Sequence, residues 1–551
     1  MARFVLISDT TLSCAYRDFP LLYFLPCAPT EILPSAVYRY LKGSPAAAID
    51  GRASRAPYSI RKLEASLLKE SSPDEVVVAH EDYIENFIDE ETEVIGLTTM
   101  DPLGLGPLAA SYAVLFATQN PPYVRREFEA LTRRVNRARA GKKAKLIVGG
   151  PGVWELVVLP EEMNHLGIDY AFQGEADDIV SDLFRFVTDQ QGGSNEFYRG
   201  FQTSDGESRK RWVDDDRFIS RHRFSRQFPS LEDIPEIVNP SMRGLVEVMR
   251  GCGIGCDFCE VTLRPPRYYP TEKIKREIEV NVRAGISHPW LHSDEIFTYQ
   301  HGRNFSPNSE ALEDLFRAVM GAEGVAGMNP THGRISVPAA YPELLARLSG
   351  IVKAGPSNWV GMQVGIETGS DRLAKIHMPN KTLPLRVGPD GSWEDIVREG
   401  TYAMNRCYWR PALTLQVGQM EETPEDNWAT VALINRMSNS ELEGGRPFEF
   451  TVTPMQNIPL GLLKSRDFRS MPLDASQLAV YYASYRHLAK MASRDAFQDA
   501  RGDLLSKVGT GLLISLGARA MLHTISTICR KGGLDLEKAA RYGVDGGPTV
   551  R

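Results

Sequence analysis

Short apolar runs alternate with helical stretches in the first part of the chain. Each run ends in small or polar residues and precedes a segment whose apolar positions recur at helical spacing. The runs cover 3–8, 76–79, 93–98, 145–150 and 169–173. This order is typical of a parallel sheet with helices on both faces. It predicts an α/β, Rossmann-like N-terminal domain.

Parallel sheets of this kind bind ligands beyond the carboxyl ends of their strands. The residues that follow the apolar runs here are small, polar or glycine-rich, as a bulky ligand lying on that edge would need. We therefore expect a cofactor to contact Thr98, Thr99, Asp101, Gly149, Gly150, Gly152, Gly174 and Glu175.

A second series of strands and helices begins near residue 240. The predicted strands cover 244–249, 290–292, 334–337, 361–366, 412–417 and 448–452, and they indicate a full or partial βα barrel. The tail has mainly helical patterning. The predicted domains are 1–190 (Rossmann-like), 191–239 (a polar linker or strap), 240–464 (barrel) and 465–551 (helical).

Composition excludes several classes of protein. Hydrophobic residues make up 42% of the 551 residues, which is too high a share for a disordered chain. The net charge of −7 argues against binding nucleic acid through overall charge attraction. No run approaches 18 uninterrupted apolar residues, so no membrane span is expected, and the first residues do not resemble a signal peptide. Seven cysteines do not form a disulfide scaffold, which favours a reducing, cytoplasmic location.

Three of the cysteines form the most specific motif in the chain. Cys252, Cys256 and Cys259 lie in a glycine-rich loop that follows an apolar strand, where barrel enzymes keep their chemistry. Three thiolates bind three irons of a [4Fe–4S] cluster and leave the fourth iron open to another ligand. A structural zinc site, the alternative, takes four protein ligands, and no second cysteine pair occurs.

The spacing Cys252-x3-Cys256-x2-Cys259, with Phe258 before the last cysteine, resembles that of the radical S-adenosylmethionine (SAM) enzymes. The resemblance implies that SAM binds the open iron and that one electron cleaves it to methionine and a 5′-deoxyadenosyl radical.

Three further segments resemble that family in the same order. The segment 291–297 (LHSDEIF) implies that Asp294 or Glu295 lies near the SAM amino group. The segment 364–371 (VGIETGSD) implies that Glu367 meets the ribose hydroxyls. The segment 417–426 matches more loosely, since Met420 stands where proline is usual.

The N-terminal part resembles the cobalamin-binding domain of one subgroup of these enzymes. Gly149-Gly150-Pro151 and Gly174-Glu175 match that subgroup's glycine-rich loops. The Asp-x-His motif of other cobalamin proteins is absent from the sequence. The resemblance therefore implies a cobalt without a histidine ligand, faced by the loop 98–106.

The resemblance as a whole implies a cobalamin-dependent radical SAM C-methyltransferase that acts on an unactivated sp3 carbon. One SAM would methylate cob(I)alamin and a second would generate the radical. A protein or peptide substrate is expected, with a glutamine of methyl-coenzyme M reductase as the first candidate, together with a low-potential electron donor. The alternatives are a cyclase or rearrangement enzyme, a methyltransferase for a natural product or lipid, a radical-free methyltransferase and a zinc scaffold. The motifs identify no catalytic side chain.

Overall fold

The computed structural model describes residues 2–18, 20–188, 217–220, 228–461, 472–495 and 504–544. The predicted α/β fold class is confirmed in these residues, which form a Rossmann-like part, a partial βα barrel and a helical C-terminal part. Most of the predicted linker, 191–239, lies outside the described residues.

The N-terminal part contains a parallel six-stranded sheet with the order β4-β1-β5-β6-β7-β8. Its strands are β1 (Phe4–Ser8), β4 (Val76–Val78), β5 (Val94–Thr98), β6 (Lys145–Gly149), β7 (Tyr170–Gln173) and β8 (Phe218–Ser220), and a separate hairpin joins β2 (Ala48–Ile49) to β3 (Arg52–Ala53). The chain order reverses on either side of β1, which makes the edge between β1 and β5 the topological switch point, where such sheets bind ligands.

Every residue of β1 is buried because apolar clusters cover both faces of the sheet. Val5 and Ile7 belong to one cluster, whereas Phe4 and Leu6 belong to the other, as the two-residue period of a strand requires. The helices of this part are α1 (Thr10–Ser13), α2 (Ser35–Lys42), α3 (Tyr58–Leu67), α4 (Pro107–Leu115), α5 (Tyr123–Ala138), α6 (Trp154–Val158), α7 (Glu161–Leu166) and α8 (Val180–Thr188).

The second part is a partial barrel. Its strands are β9 (Leu245–Glu247), β10 (Met249–Arg250), β11 (Arg267–Tyr268), β12 (Trp290–His292), β13 (Asn329–Pro330), β14 (Val360–Glu367), β15 (Trp409–Val417) and β16 (Thr451–Gln456). Two parallel sheets, β13-β12-β9 and β14-β15-β16, are joined by a parallel bridge between His332 and Gln363. The six strands from β9 to β16 outside the β10–β11 hairpin therefore follow one another in chain order, as in a barrel.

The helices of the barrel are α9 (Thr271–Arg283), α10 (Ser309–Met320), α11 (Ser336–Ala340), α12 (Pro342–Ile351), α13 (Asp371–His377), α14 (Trp393–Arg406) and α15 (Pro424–Ser438). The strand predicted at 334–337 is wrong, because the barrel strand is β13 and residues from Ser336 onward are helical. The Ser336 hydroxyl donates to the carbonyl oxygens of Lys381 and Leu383, at 2.8 and 2.9 Å, and so fixes this turn. The last barrel strand begins at Thr451, three residues later than predicted.

The C-terminal part consists of α16 (Ala475–Asp495), α17 (Leu504–Lys531) and α18 (Leu536–Arg541). By length and composition one described segment, Val508–Lys531, could cross a membrane, and only 17% of its most apolar window is buried, whereas the core helix of a soluble protein is mostly buried. This is weak evidence for a span, and Arg519 lies near its middle.

Candidate functional site

The three cysteines lie in a loop, residues 251–266, that a hairpin closes at its base. Strand β10 pairs with β11 in antiparallel register, and Arg250 lies opposite Arg267. The next residue, Gly251, has a φ of 74°, and a Cβ there would lie 2.5 Å from two carbonyl oxygens of the returning chain. Only glycine fits so close an approach. The loop therefore begins and ends at one point, after the carboxyl end of β9.

The three cysteines are shielded from solvent to different extents. Cys252 and Cys256 are each 8% exposed, and Cys259 is half-buried. Burial raises the pKa of Cys252 and of Cys256 to about 12, and the negative charge of neighbouring thiolates adds to the shift. Among the described residues, no three histidine, cysteine or carboxylate groups converge on a point that would hold a single ion. A [4Fe–4S] cluster does not need such convergence, because each cysteine binds a different iron.

The last residue of α13 and the turn after it contact the cysteine loop from the barrel side. His377 Nδ1 lies 2.9 Å from Asp257 Oδ2, and the Asp257 backbone N–H donates to the His377 carbonyl at 3.1 Å. Asn380 Nδ2 donates to the Ile254 carbonyl at 2.8 Å. Sequence reasoning missed His377 and Asn380, since no local pattern marks contacts between residues 120 positions apart.

The chain after β16 packs flat against the other side of the loop. The backbone N–H groups of Leu460 and Gly461 both donate to the Phe258 carbonyl at 3.0 Å. A Cβ at Gly461 would lie 2.5 Å from the Asp257 carbonyl oxygen and 2.6 Å from that of Cys259. The loop is thus held from two sides by hydrogen bonds of the protein.

Glu367, the predicted ribose-binding residue, lies at the carboxyl end of β14 beside the cysteines. A register shift between Gly365 and Glu367 and a φ of 62° turn its side chain inward. Lys381 Nζ donates to Glu367 Oε1 at 2.5 Å, and Gln416 Nε2 donates to Oε2 at 3.0 Å. Burial lowers the pKa of Lys381, but Glu367 and Cys256 outweigh it, and the net shift is upward. Lys381, whose side chain is 13% exposed, is therefore a largely buried cation close to the carboxylate and the thiols. No sequence motif predicts it.

The two acidic residues predicted near SAM have different surroundings. Asp294 Oδ2 accepts a hydrogen bond from the Gly251 backbone N–H at 2.6 Å, which places it at the base of the cysteine loop. Glu295 is buried and accepts hydrogen bonds from the N–H groups of Phe297 and Arg334, both at 3.1 Å. Burial raises the pKa of Glu295, although Arg334 opposes the shift. Of the two, Asp294 is the one placed to contact a ligand at the loop.

The predicted residues at the N-terminal sheet edge come together after β5 and β6. Gly150 has a φ of 97°, and a Cβ there would lie 2.5 Å from Thr98 Oγ1. A Cβ at Gly152 would lie 2.5 Å from the Met100 carbonyl oxygen. The Gly152 N–H donates to the Thr99 carbonyl at 3.1 Å. The two loops therefore meet with no side chain between them, and we call this junction the shelf.

Asp101 lies in the loop after β5, and its side chain is engaged within the protein. It is buried, and its Oδ1 accepts a hydrogen bond from the Gly106 N–H at 2.9 Å. Next to it lies Glu155, also buried, whose Oε2 accepts from the Leu103 N–H at 2.7 Å. Burial and the adjacent Asp101 hold the pKa of Glu155 well above its usual range. Sequence reasoning missed Glu155, which lies within an apolar helix.

A small pocket, open to solvent, lies at the same edge beside β1 and β4. Ser8, Ser13, Arg55, His80 and Glu81 contribute its polar lining. Burial raises the pKa of Glu81 to about 8. His80 Nδ1 accepts a hydrogen bond from the Asp82 N–H at 3.1 Å, so this histidine caps a turn.

The Gly174-Glu175 loop after β7 has a different environment from the shelf. Gly174 has a φ of 132°. The Glu175 carboxylate leaves the sheet edge and pairs with Arg250 at 2.9 Å and Arg267 at 2.5 Å, at the base of the cysteine loop. The structure thus connects two motifs that the sequence shows as separate.

No family model and no curated protein matches the sequence. Two solved structures of the radical S-adenosylmethionine methyltransferase TsrM from Kitasatospora setae have low similarity to it. The structure with tryptophan substrate and a SAM analog bound is 14% identical at a TM-score of 0.47, covering 78% of this chain and 70% of that chain. The structure with cobalamin and a [4Fe–4S] cluster bound is 15% identical at 0.45, covering 83% and 75%. A likeness of this size does not extend to ligands or activity.

Proposed function

We propose that this protein is a radical SAM enzyme that holds a [4Fe–4S] cluster through Cys252, Cys256 and Cys259, and cobalamin at the N-terminal sheet edge, and that it transfers a methyl group. The observation that carries the proposal is the cysteine loop itself. It presents three cysteines at the carboxyl end of a barrel strand, on a hairpin that hydrogen bonds of the protein close and brace.

The residues around the loop fit SAM as the ligand of the open iron. Asp294 at the base of the loop can accept hydrogen bonds from the SAM amino group, and Glu367 can accept them from the ribose hydroxyls. Lys381 can bind the SAM carboxylate, since it lies beside the cysteines and remains charged. When bound, the cluster supplies the electron for SAM cleavage and the corrin carries the methyl group.

The N-terminal edge is the place where a sheet of this kind binds its ligand. The shelf lies at the carboxyl ends of β5 and β6, beside the switch point of the sheet, and Gly150 and Gly152 let its two loops pack closely there. Met100, 52% exposed, projects from the same loop. The loop 98–106 contains no histidine, which supports a cobalt without a histidine ligand.

We further propose that the methyl acceptor is an unactivated sp3 carbon in a protein or peptide side chain. A glutamine of methyl-coenzyme M reductase is the first member of this class to test. Incubation with a glutamine-containing peptide should produce a gain equal to the mass of one CH2 group. If the peptide shows no mass gain and a natural product or lipid does, the proposed substrate class is wrong, but the proposed methyl transfer still holds.

Anaerobic purification followed by cofactor extraction tests the class before any substrate is known. We expect iron, sulfide and cobalamin from the wild-type protein. Cys256→Ala should lose iron, 5′-deoxyadenosine formation and methylation together. Cys529→Ala, a buried cysteine that lies in the C-terminal helices, is the matched control and should lose none of them. A colourless wild-type protein that binds zinc would contradict the proposal.

Products separate the remaining alternatives. A methyltransferase that uses the radical should yield S-adenosylhomocysteine and 5′-deoxyadenosine in proportion to product. A cyclase or rearrangement enzyme would yield no S-adenosylhomocysteine, and a radical-free methyltransferase would yield no 5′-deoxyadenosine.

A further inference from the structure

Two arginines face each other across the hairpin that carries the cysteine loop. Arg250 and Arg267 are register partners on β10 and β11. Like charges directly opposite each other destabilise a pair of strands. The two side chains are only 10% and 15% exposed, so water screens their repulsion poorly. The hairpin therefore needs an anion at this point.

Glu175 supplies that anion from the N-terminal domain. Its Oε2 lies 2.9 Å from Arg250 Nη1 and 3.1 Å from Arg267 Nη1, and its Oε1 lies 2.5 Å from Arg267 Nη2. Burial raises the pKa of Glu175, but the two guanidinium groups outweigh it, and the net shift is downward. Glu175 is therefore a charged carboxylate that binds both strands of the hairpin.

Two further carboxylates complete the cluster on the Arg250 side. Asp177 Oδ2 lies 2.7 Å from Arg250 Nη1, and Glu247 Oε1 lies 2.9 Å from Arg250 Nε. Asp177 belongs to the same N-terminal loop as Glu175, whereas Glu247 ends β9. The base of the cysteine loop is thus bound to the other domain by charged hydrogen bonds in a region that water hardly reaches.

We propose that Glu175 is a positioning residue that clamps the base of the cysteine loop and fixes this loop against the N-terminal domain. The predicted cofactor contact of Glu175 is replaced by this role, since both carboxylate oxygens are directed at the arginines. Its effect on a cluster bound by Cys252, Cys256 and Cys259 rests on the proposed function, whereas the clamp itself does not.

Hydrogen exchange of the full-length protein without added cofactor tests the clamp. In Glu175→Gln the two arginines lose their shared anion, and we expect the amides of residues 251–266 to exchange about tenfold faster or more. Glu277→Gln is the matched control, because Glu277 is also a buried carboxylate that pairs across the domains, with Lys62, but it lies on α9 and outside the hairpin. Its exchange in 251–266 should stay within about twofold of wild type.

A double variant separates the clamp from general damage. Glu175→Gln with Arg267→Gln also removes the opposed charges, so exchange in 251–266 should return toward the wild-type rate. Unchanged exchange in Glu175→Gln, equal acceleration in Glu277→Gln, or no recovery in the double variant would each overturn the proposal.

Iron release from the reconstituted protein tests the functional consequence. A chelator should remove iron several-fold faster from Glu175→Gln than from wild type or Glu277→Gln. Equal release rates would overturn the link between the clamp and the cluster. If the wild-type protein takes up no cluster at all, the proposed function fails, but the exchange result still decides the clamp.

Discussion

The buried carboxyl group of Asp9, at the switch point of the sheet, should make the stability of the protein depend on pH. Asp9 follows β1, is fully buried, and accepts hydrogen bonds from the Thr11 N–H at 2.9 Å and from Thr99 Oγ1 at 3.1 Å. Burial raises its pKa from 3.8 to about 6, and these hydrogen bonds offset only part of the shift. A difference of about two units corresponds to about 3 kcal/mol, at about 1.36 kcal/mol for each unit.

The sign of the effect follows from the protons bound in each state. Between pH 3.8 and about 6 the folded protein keeps the Asp9 proton while the unfolded chain has lost it. Stability therefore falls as the pH rises through this window, and the full cost is present above it. Asp9→Asn removes the charge, and its amide oxygen can still accept from Thr11. We expect the variant to be more stable than wild type by up to about 3 kcal/mol near pH 8, and by little near pH 4.

Urea unfolding at several pH values measures this difference. Asp82→Asn is the control, because the Asp82 side chain is 64% exposed and should change stability little at any pH. A destabilisation of Asp9→Asn that is the same at all pH values would refute the reasoning, since it would mean that the carboxylate is stabilised as an anion.

Three other outcomes are expected. Gly461→Ala places a Cβ 2.5 Å from the Asp257 carbonyl oxygen and should lower the iron content after reconstitution. Gly350→Ala, where the Cβ meets open space, is the control and should not lower it. Equal iron contents in the two variants would contradict this prediction. Lys381→Met removes the largely buried cation beside Glu367 and should weaken SAM binding by about tenfold or more, measured by calorimetry, whereas Lys381→Arg should retain most of it. Protein that retains cobalamin should give a cob(II)alamin electron paramagnetic resonance spectrum without nitrogen splitting from a histidine, and such splitting would refute the prediction.

The N-terminal sheet could be predicted because its strands are continuous apolar runs. In β1 five consecutive residues are buried, so the pattern needs no knowledge of the partner strands. The strand predicted at 334–337 was wrong because Arg334 and Ser336 alternate with apolar residues, which is the pattern of a strand. Its helical turn depends on the Ser336 hydrogen bonds to residues 381 and 383, which are visible only in three dimensions.

Some residues of the candidate site could likewise be predicted from the sequence, and others could not. Cys252, Cys256 and Cys259 could be identified because their spacing within one loop is itself the signal. Lys381 could not, because it reaches the site from a short turn whose sequence has no recognisable pattern. The role of Glu175 was hidden for a related reason: its partners, Arg250 and Arg267, lie 75 and 92 positions away.

The segment that follows β16 connects the two candidate sites. The Gln456 N–H donates to Ser111 Oγ at 2.6 Å, and the Gly461 N–H donates to the Phe258 carbonyl at 3.0 Å. An extended chain spans at most about 3.6 Å per residue, so the two contacts lie within about 18 Å of each other along this segment. Ser111 belongs to α4, which begins directly after the shelf loop 98–106, and Phe258 lies between two of the cysteines. A short length of chain therefore links the helix after the shelf loop to the cysteine loop, so a displacement of either one is transmitted to the other through this segment.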